Sequence, residues 1–280
     1  MKRACVIGWP IEHSRSPMIH GAWIKRHGID GSYTKIAVRP EDAATFFRTL
    51  GEQGLAGCNV TAPLKEAAFA AAAWRDTSAE AVGAANTLWL DGAKLCAANT
   101  DTYGFMRHLD ASAPAWKALD APVVILGAGG AARTIAFGFL EAGVTRVCIV
   151  NRTLARGQAI AAHFGARVQA YDWNALPTAL AGARVLVNTT TVGMAKAGVA
   201  PAPLDIDIGA LRRDCIVADI VYVPLETDLL ARARARGHTC VDGLGMLLHQ
   251  AVPGFEKWFG VRPEVTLDLR ALIVRDIEGV

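Results

Sequence analysis

From residue 3 to residue 101, short apolar runs alternate with stretches whose apolar positions recur every three or four residues. This alternation predicts strands joined by crossover helices, and hence a largely parallel sheet. The strands fall at ACVIG (4–8), SYTKIAV (32–38) and AGCNV (56–60), and at NTLWL (86–90) and KLCAA (94–98) on either side of an Asp91-Gly92 turn. Helices fit 17–27, 41–51 and 64–73. The stretch DASAPAWKALDAP (110–122) is small, polar and proline-containing, and reads as a join between domains. A second series starts at PVVILGAGG and continues through RVCIV, VLVNTT and CIVADIVY, with helices near 131–142, 153–164 and 227–236. Two final helices, near 244–258 and 263–276, have no strand of their own and are expected to return to the first domain. The fold class is therefore α/β with two domains. Residues 1–101, completed by the helices of 244–280, form one with a mainly parallel sheet, and residues 102–243 form a doubly wound, Rossmann-type domain. A length of 280 residues suits two cores better than one.

Composition narrows the class. The chain is 52% hydrophobic, but much of that is alanine, and the longest apolar run, AAFAAAAW (67–74), is far short of the ~20 residues of a membrane span. The start, MKRACVIGWPIEHSR, imitates a short secretion signal, yet it holds Gly8 and Pro10, lacks a small-residue cleavage site and reaches Glu12. It reads as a first strand of a cytoplasmic protein. Cys5, Cys58, Cys96, Cys148, Cys215 and Cys240 form no C-x-x-C pair and lie mostly in apolar segments, as small core residues of a reducing compartment do. The histidines are equally scattered, so no metal site is expected. A net charge of +3 is too weak to suggest a nucleic-acid surface. Arg232, Arg234 and Arg236 alternate, which on a helix forms no single stripe, and they read as a solvated helix end.

The second domain opens with a recognisable turn. In VVILGAGGAARTIAFGFLEAG a strand leads into Gly127-Ala128-Gly129-Gly130-Ala131-Ala132 and a helix follows, which is the context a dinucleotide fingerprint requires. Gly127 permits the turn, Gly129 lets backbone approach a pyrophosphate, and Ala132 allows close helix packing. The unpaired N–H groups at the helix start, at Gly130 and Ala131, hold phosphate. At the end of the next strand an NAD site carries Asp or Glu for the ribose, whereas this chain reads VNRTLAR. Asn151, Arg152 and Thr153 offer donors and Arg156 follows one helical turn later, a pattern suited to a 2′-phosphate. NADP(H) is the expected cofactor. Thr189, near the end of the strand VLVNTT, and Gly243 are further candidates for its contacts.

Three polar clusters fall at strand ends in the first domain: HSRSP (13–17), NVTAPLK (59–65), and GAANT with NTD (83–87 and 99–101). Ser16 before Pro17, Thr61 before Pro63 and Asp101 each have an ordinary reading as helix caps. Lys65 does not. A cation in the first turn opposes the helix dipole at a cost of roughly 0.3–1 kcal/mol. A neighbouring Asp101 would offset that cost, since opposite charges ~4 Å apart attract by ~4 kcal/mol at an effective dielectric of 20. Such a pair could protonate the alkoxide formed by hydride transfer to a carbonyl. The residues leave open which member is the formal proton donor.

These motifs, with DIVYVPLET and GLGMLLHQ, run in the order of the shikimate dehydrogenases, and over essentially its whole length the chain resembles that family. The resemblance implies NADPH-dependent reduction of 3-dehydroshikimate to shikimate in aromatic amino-acid biosynthesis. It implies that Ser14 and Ser16 hold the substrate carboxylate, with Tyr222 close to it. Asn59, Thr61, Asn86 and Gln250 contact the substrate, Lys65 and Asp101 are the catalytic pair, and Asn151, Arg152, Thr153 and Arg156 clamp the 2′-phosphate. Two positions depart from the family: Gly21, where Asn is usual, and the triple threonine of NTTTVGM. Alternatives are a quinate or aminoshikimate dehydrogenase of the same fold, another carbonyl reductase, and a non-catalytic NADP-binding sensor. The sequence does not choose between monomer and homodimer. Domain closure is expected to hinge near 101–103 and 243–245, with Gly243 and Gly245 giving freedom.

Overall fold

The computed structural model describes residues 1–118, 121–195 and 199–279. The chain divides into two compact units, one of residues 1–104 with 248–280 and one of residues 105–247.

The first unit contains β1 (Lys2–Gly8), α1 (Ser16–Arg26), β2 (Gly31–Ala37), α2 (Ala43–Arg48), β3 (Gly57–Val60), α3 (Lys65–Ala71), β4 (Trp74–Arg75), α4 (Thr77–Val82), β5 (Thr87–Asp91) and β6 (Lys94–Ala98). The sheet order is β2-β1-β3-β5-β6-β4. β1 pairs in parallel with both β2 and β3, and β4 with β6, but β5 runs antiparallel to β3 and to β6. The sheet is thus mixed at its centre, because the Asp91-Gly92 turn folds β5 back onto β6. β4 and α4 are too short to leave a periodic signal and were not anticipated by the pattern.

α5 (Thr100–Ser112) carries the chain across the division between the units. The stretch 110–118 does not form a linker: it completes α5 and a short 3-10 turn, and Trp116 is buried with its ring edge-on to Phe139 at 5.4 Å. Two further residues of that expected join, 119 and 120, lie outside the described residues, as does residue 280 at the end of the expected C-terminal helices.

The second unit contains β7 (Val123–Leu126), α6 (Gly130–Glu141), β8 (Val147–Val150), α7 (Leu154–Phe164), β9 (Val168–Tyr171), α8 (Leu176–Ala181), β10 (Val185–Asn188), β11 (Ile216–Asp219), α9 (Asp228–Ala235) and β12 (Thr239–Val241). Its order, β12-β11-β10-β7-β8-β9, is parallel throughout. Read from β7 this is the 3-2-1-4-5-6 order of a Rossmann fold, with the switch in direction between β7 and β10. β7, β8, β10 and β11 are buried at every position, as strands covered on both faces must be.

α10 (Gly243–Phe259) crosses back at Leu247/Leu248, and α11 (Leu267–Glu278) follows. In the first unit Trp258 donates its indole N–H to Leu88 O at 2.9 Å and Trp23 donates to Glu264 O at 3.0 Å. A Cβ on Gly57 would stand 2.1 Å from Trp258 Nε1, so the absent side chain is what admits the indole. Gly243 and Gly245 are likewise packed. A Cβ on Gly243 would lie 2.3 Å from Ile220 O, and one on Gly245 2.0 Å from the His108 ring. Close approach, rather than hinge freedom, accounts for both glycines.

Candidate active site

Because β5 runs against its neighbours, its first residues lie where β3 and β6 end: Asn59 is the register partner of Thr87, and Thr87 of Ala98. This reversal gathers Asn59, Asn86, Thr87, Thr100 and Asp101 into one polar cluster within the first unit. Lys65 opens α3 immediately beyond β3, and its Nζ lies 2.6 Å from Asp101 Oδ2. Only about a third of the Lys65 side chain reaches solvent and 17% of Asp101 does, so the attraction is screened in part and still exceeds the dipole cost of the cation.

Backbone groups fix the amides of this cluster. Thr100 N can only donate, so the atom 2.8 Å from it is Asn86 Oδ1, which also accepts from the Thr100 and Thr87 hydroxyls at 3.0 Å each. Asn86 Nδ2 is thereby turned to donate to Asp101 Oδ1 at 2.9 Å, and it lies 3.5 Å from Gln250 Oε1. Asn86 O can only accept, so the Asn59 atom 3.2 Å away is Nδ2, which donates to Thr87 Oγ1 as well. Asn59 Oδ1 then accepts from the Tyr33 hydroxyl at 2.6 Å. Asp101 receives one donor on each oxygen, the arrangement of a carboxylate beside an ammonium.

The expected caps are not caps. Asn99 Oδ1, not the Asp101 carboxylate, takes the Asp101 N–H at the start of α5. α1 begins at Ser16 after Arg15 with no side-chain cap, and Ser14 Oγ accepts the Ser16 N–H at 3.3 Å. α3 has no side-chain cap either, Thr61 offering Leu64 N only its carbonyl. Ser14 and Thr61 are half-buried and Ser16 buried.

Tyr33, His20, Thr87 and Thr100 were not singled out by the sequence reading. Thr100 sat in plain view inside NTD, but nothing in SYTKIAV marked Tyr33. Burial raises the Tyr33 phenol well above its usual range. His20 is fully buried and stacks on Tyr33 with centroids 4.0 Å apart, and burial pushes its imidazole down to about 3.

Tyr222 belongs to the second unit, in the loop after β11, and is half-buried. That loop hangs on Asp219, which is buried and accepts from Asn188 Nδ2, Val221 N and Thr227 Oγ1 at 3.0, 3.0 and 2.7 Å. Burial outweighs these bonds and raises its carboxyl to about 6.

At the switch point Gly127 has φ +103°, open to glycine at little cost, and a Cβ there would meet Thr189 Oγ1 at 2.8 Å. Thr189 donates its hydroxyl to Leu126 O at 2.6 Å, and the Thr190 hydroxyl donates to Asn188 Oδ1 at 2.7 Å, so the threonine run knits the loop after β10 to β7 and to itself. Gly129 and Gly130 face open space where a Cβ would intrude, Ala131 is half-buried, and Ala132 is fully buried against the sheet. No acidic residue stands in the first turn of α6 or of α7. Asn151 donates to Thr153 O at 2.8 Å, while Arg152, Thr153 and Arg156 are exposed at the end of β8 and the start of α7. Open glycine backbone at the start of α6, with two exposed arginines at the start of α7, fits a dinucleotide bearing an extra phosphate. Arg232 and Arg234 pair with Asp228 and Glu226 at 2.8 Å each, and Arg232 also donates to Leu204 O and Ile206 O, tying α9 to the preceding loop.

Comparison with known proteins gives three family matches: the shikimate dehydrogenase substrate binding domain over residues 6–88, shikimate / quinate 5-dehydrogenase over 111–195, and the shikimate 5′-dehydrogenase C-terminal domain over 243–273. A shikimate dehydrogenase (NADP(+)) of Azorhizobium caulinodans is 53% identical over 99% of this chain and 97% of its own. The crystal structure of shikimate 5-dehydrogenase from Thermus thermophilus in complex with NADP(H) and shikimate is 34% identical with a TM-score of 0.84, covering 99% of this chain and 100% of that one. Quinate dehydrogenase from Corynebacterium glutamicum in complex with NAD is 30% identical with a TM-score of 0.87, covering 97% and 98%.

Proposed function

Since the chain belongs to the shikimate dehydrogenase family, we propose that it reduces 3-dehydroshikimate to shikimate with NADPH, reversibly, in aromatic amino-acid biosynthesis. The observation that carries this reading is the Lys65–Asp101 pair at 2.6 Å, held in place by Asn86. NADPH, when bound, supplies the hydride to the carbonyl carbon. Lys65, paired with Asp101, stabilises the growing charge on the carbonyl oxygen and delivers the proton that completes the alcohol. Ser14 and Ser16 take the carboxylate at the start of α1, where the helix dipole favours an anion. Asn59, Thr61, Asn86 and Gln250 contact the ring, and Tyr222 serves the carboxylate.

For the cofactor, Gly127, Ala128, Gly129, Gly130 and Ala131 cradle the pyrophosphate, with Thr189 and Gly243 lining the nicotinamide half. Asn151, Arg152, Thr153 and Arg156 take the 2′-phosphate. Among the described residues no helix is long and apolar enough to cross a membrane, and we assign the enzyme to the cytoplasm. The test is the steady-state rate with shikimate and with quinate, each against NADP+ and NAD+. Turnover with shikimate and NADP+ supports the reading. A preference for quinate or NAD+ would move the chain towards the quinate enzymes, and no turnover in any combination would overturn it.

A further inference from the structure

Of the residues the sequence reading passed over, Tyr33 has the most directed contact with the proposed site. Asn59 is buried, at 5% exposure, and its amide is spoken for on three sides. Both hydrogens of Nδ2 are committed, one to Asn86 O and one to Thr87 Oγ1, at 3.2 Å each. One lone pair of Oδ1 takes the Tyr33 hydroxyl at 2.6 Å. An amide carbonyl has two lone pairs, so what Asn59 retains for a ligand is a single acceptor position and no donor. Its direction depends on where Oδ1 is held: Tyr33 makes the hydrogen bond of good geometry there, and the buried His20 imidazole lies against the same amide without one.

We propose that Tyr33 is a positioning residue: by donating to Asn59 Oδ1 it aims the remaining carbonyl lone pair of Asn59 at a ring hydroxyl of the substrate, so that the site accepts a hydrogen bond there and cannot give one. The inference rests on the reading of Asn59 as a substrate contact. It adds a selectivity: a substituent able to donate at that ring position is held, and one able only to accept meets an occupied or repelling oxygen.

The surroundings of Tyr33 suit the task. Its ring is buried on β2 and stacked on His20 with an interplanar angle of 8°, which leaves the phenol little freedom to turn away. His20 stays a neutral stacking partner across the working pH range, because burial depresses its imidazole to about 3. The hydroxyl keeps its proton as well, since burial raises the phenol, and a donor to Asn59 needs that proton. The bond continues through Thr87 and Asn86 to Asp101, a series in which the backbone groups Asn86 O and Thr100 N fix which end of each amide donates.

The experiment is a double-mutant cycle on Tyr33→Phe and Asn59→Ala, reading kcat and KM for shikimate with saturating NADP+. Tyr33→Phe keeps the ring and its stack on His20. The expected result is a KM raised about 3- to 10-fold, the worth of one buried neutral hydrogen bond, with kcat within about 3-fold of the parent. Asn59→Ala raises KM at least as much, and the double variant is no worse than Asn59→Ala alone, because Tyr33 acts through Asn59. A merely structural role would lower the unfolding midpoint without this split and without this coupling. Losses that multiply in the double variant, or a Tyr33→Phe enzyme with parental KM beside a weakened Asn59→Ala, would overturn the positioning role and leave the site reading standing. A parental KM in Asn59→Ala overturns both.

Discussion

The two units prepare their ligands in opposite ways. In the first, the groups proposed for substrate are largely buried amides, hydroxyls and an ion pair, and backbone groups assign the amide donors and acceptors before any ligand arrives. In the second, the groups proposed for cofactor are exposed arginines at the start of α7 and glycine backbone left open at the start of α6. Burial makes the first arrangement directional, since each polar atom must be satisfied by its neighbours, and water does that for the second. A ring with several hydroxyls calls for direction, while a phosphate can be met by charge from a range of angles.

The sharpest way to break this contrast is to remove its centre in the first unit. Lys65→Ala should lower kcat by about 10²- to 10⁴-fold, the usual worth of a general acid, with shikimate KM changed by only a few-fold. Steady-state kinetics read both numbers, and an undiminished kcat would remove Lys65 from the chemistry. In the second unit the corresponding change should touch binding alone. Arg152→Ala deletes a charge-assisted contact worth about 1.5–3 kcal/mol, so NADP+ affinity should fall by about 10- to 150-fold with NAD+ affinity unchanged. Titration calorimetry with both nucleotides decides it, and equal losses would place the 2′-phosphate elsewhere.

The same contrast explains what the sequence made legible. The Rossmann unit was readable down to its glycine loop because fully buried parallel strands leave unbroken apolar runs and the loop needs particular residues at fixed spacing. β9 and β12 were missed, being short strands towards the sheet edges with mixed burial. In the first unit Lys65 stood out by violating the dipole rule, and Asp101 followed as its partner. Tyr33 could not be found that way: its role depends on β2 lying beside β1 and on an amide one strand further, contacts set by topology rather than spacing. The glycines near 243 failed for a related reason, because a residue chosen for lack of a Cβ looks the same in sequence whether it bends or packs.

Each unit also buries a group whose shift falls between about pH 3 and 7, His20 in the first and Asp219 in the second, and the two should push stability in opposite directions. His20, held down to about 3, stays neutral in the folded chain and takes a proton in the unfolded chain below about pH 6.5. Its contribution to the first unit is complete above that pH and is lost as pH falls, by at most about 1.4 kcal/mol per unit. Asp219, raised to about 6, holds its proton in the folded chain after the unfolded chain has released it near 3.8. The second unit is therefore favoured below about pH 4 and loses that contribution as pH rises through 6. Urea unfolding between pH 4 and 7 should show His20→Phe flattening the acid loss and Asp219→Asn flattening the loss on the other side. Two variants with parallel pH profiles would refute the opposition.

The smallest effect separates a glycine that packs from one that does not. Gly21 lies in the interior of α1, and a Cβ there would meet nothing within 4 Å, whereas at Gly245 it would strike the His108 ring at 2.0 Å. Alanine at a helical position with free space relieves the backbone entropy that glycine loses on folding. Gly21→Ala should raise the unfolding free energy by about 0.5–1 kcal/mol without changing KM for either ligand. Gly245→Ala should lower it instead, because either His108 or the start of α10 must move. If Gly21→Ala proves neutral in denaturant unfolding but raises shikimate KM, the space beside α1 serves the ligand rather than being spare, and the family's usual asparagine at that position becomes a matter of substrate shape.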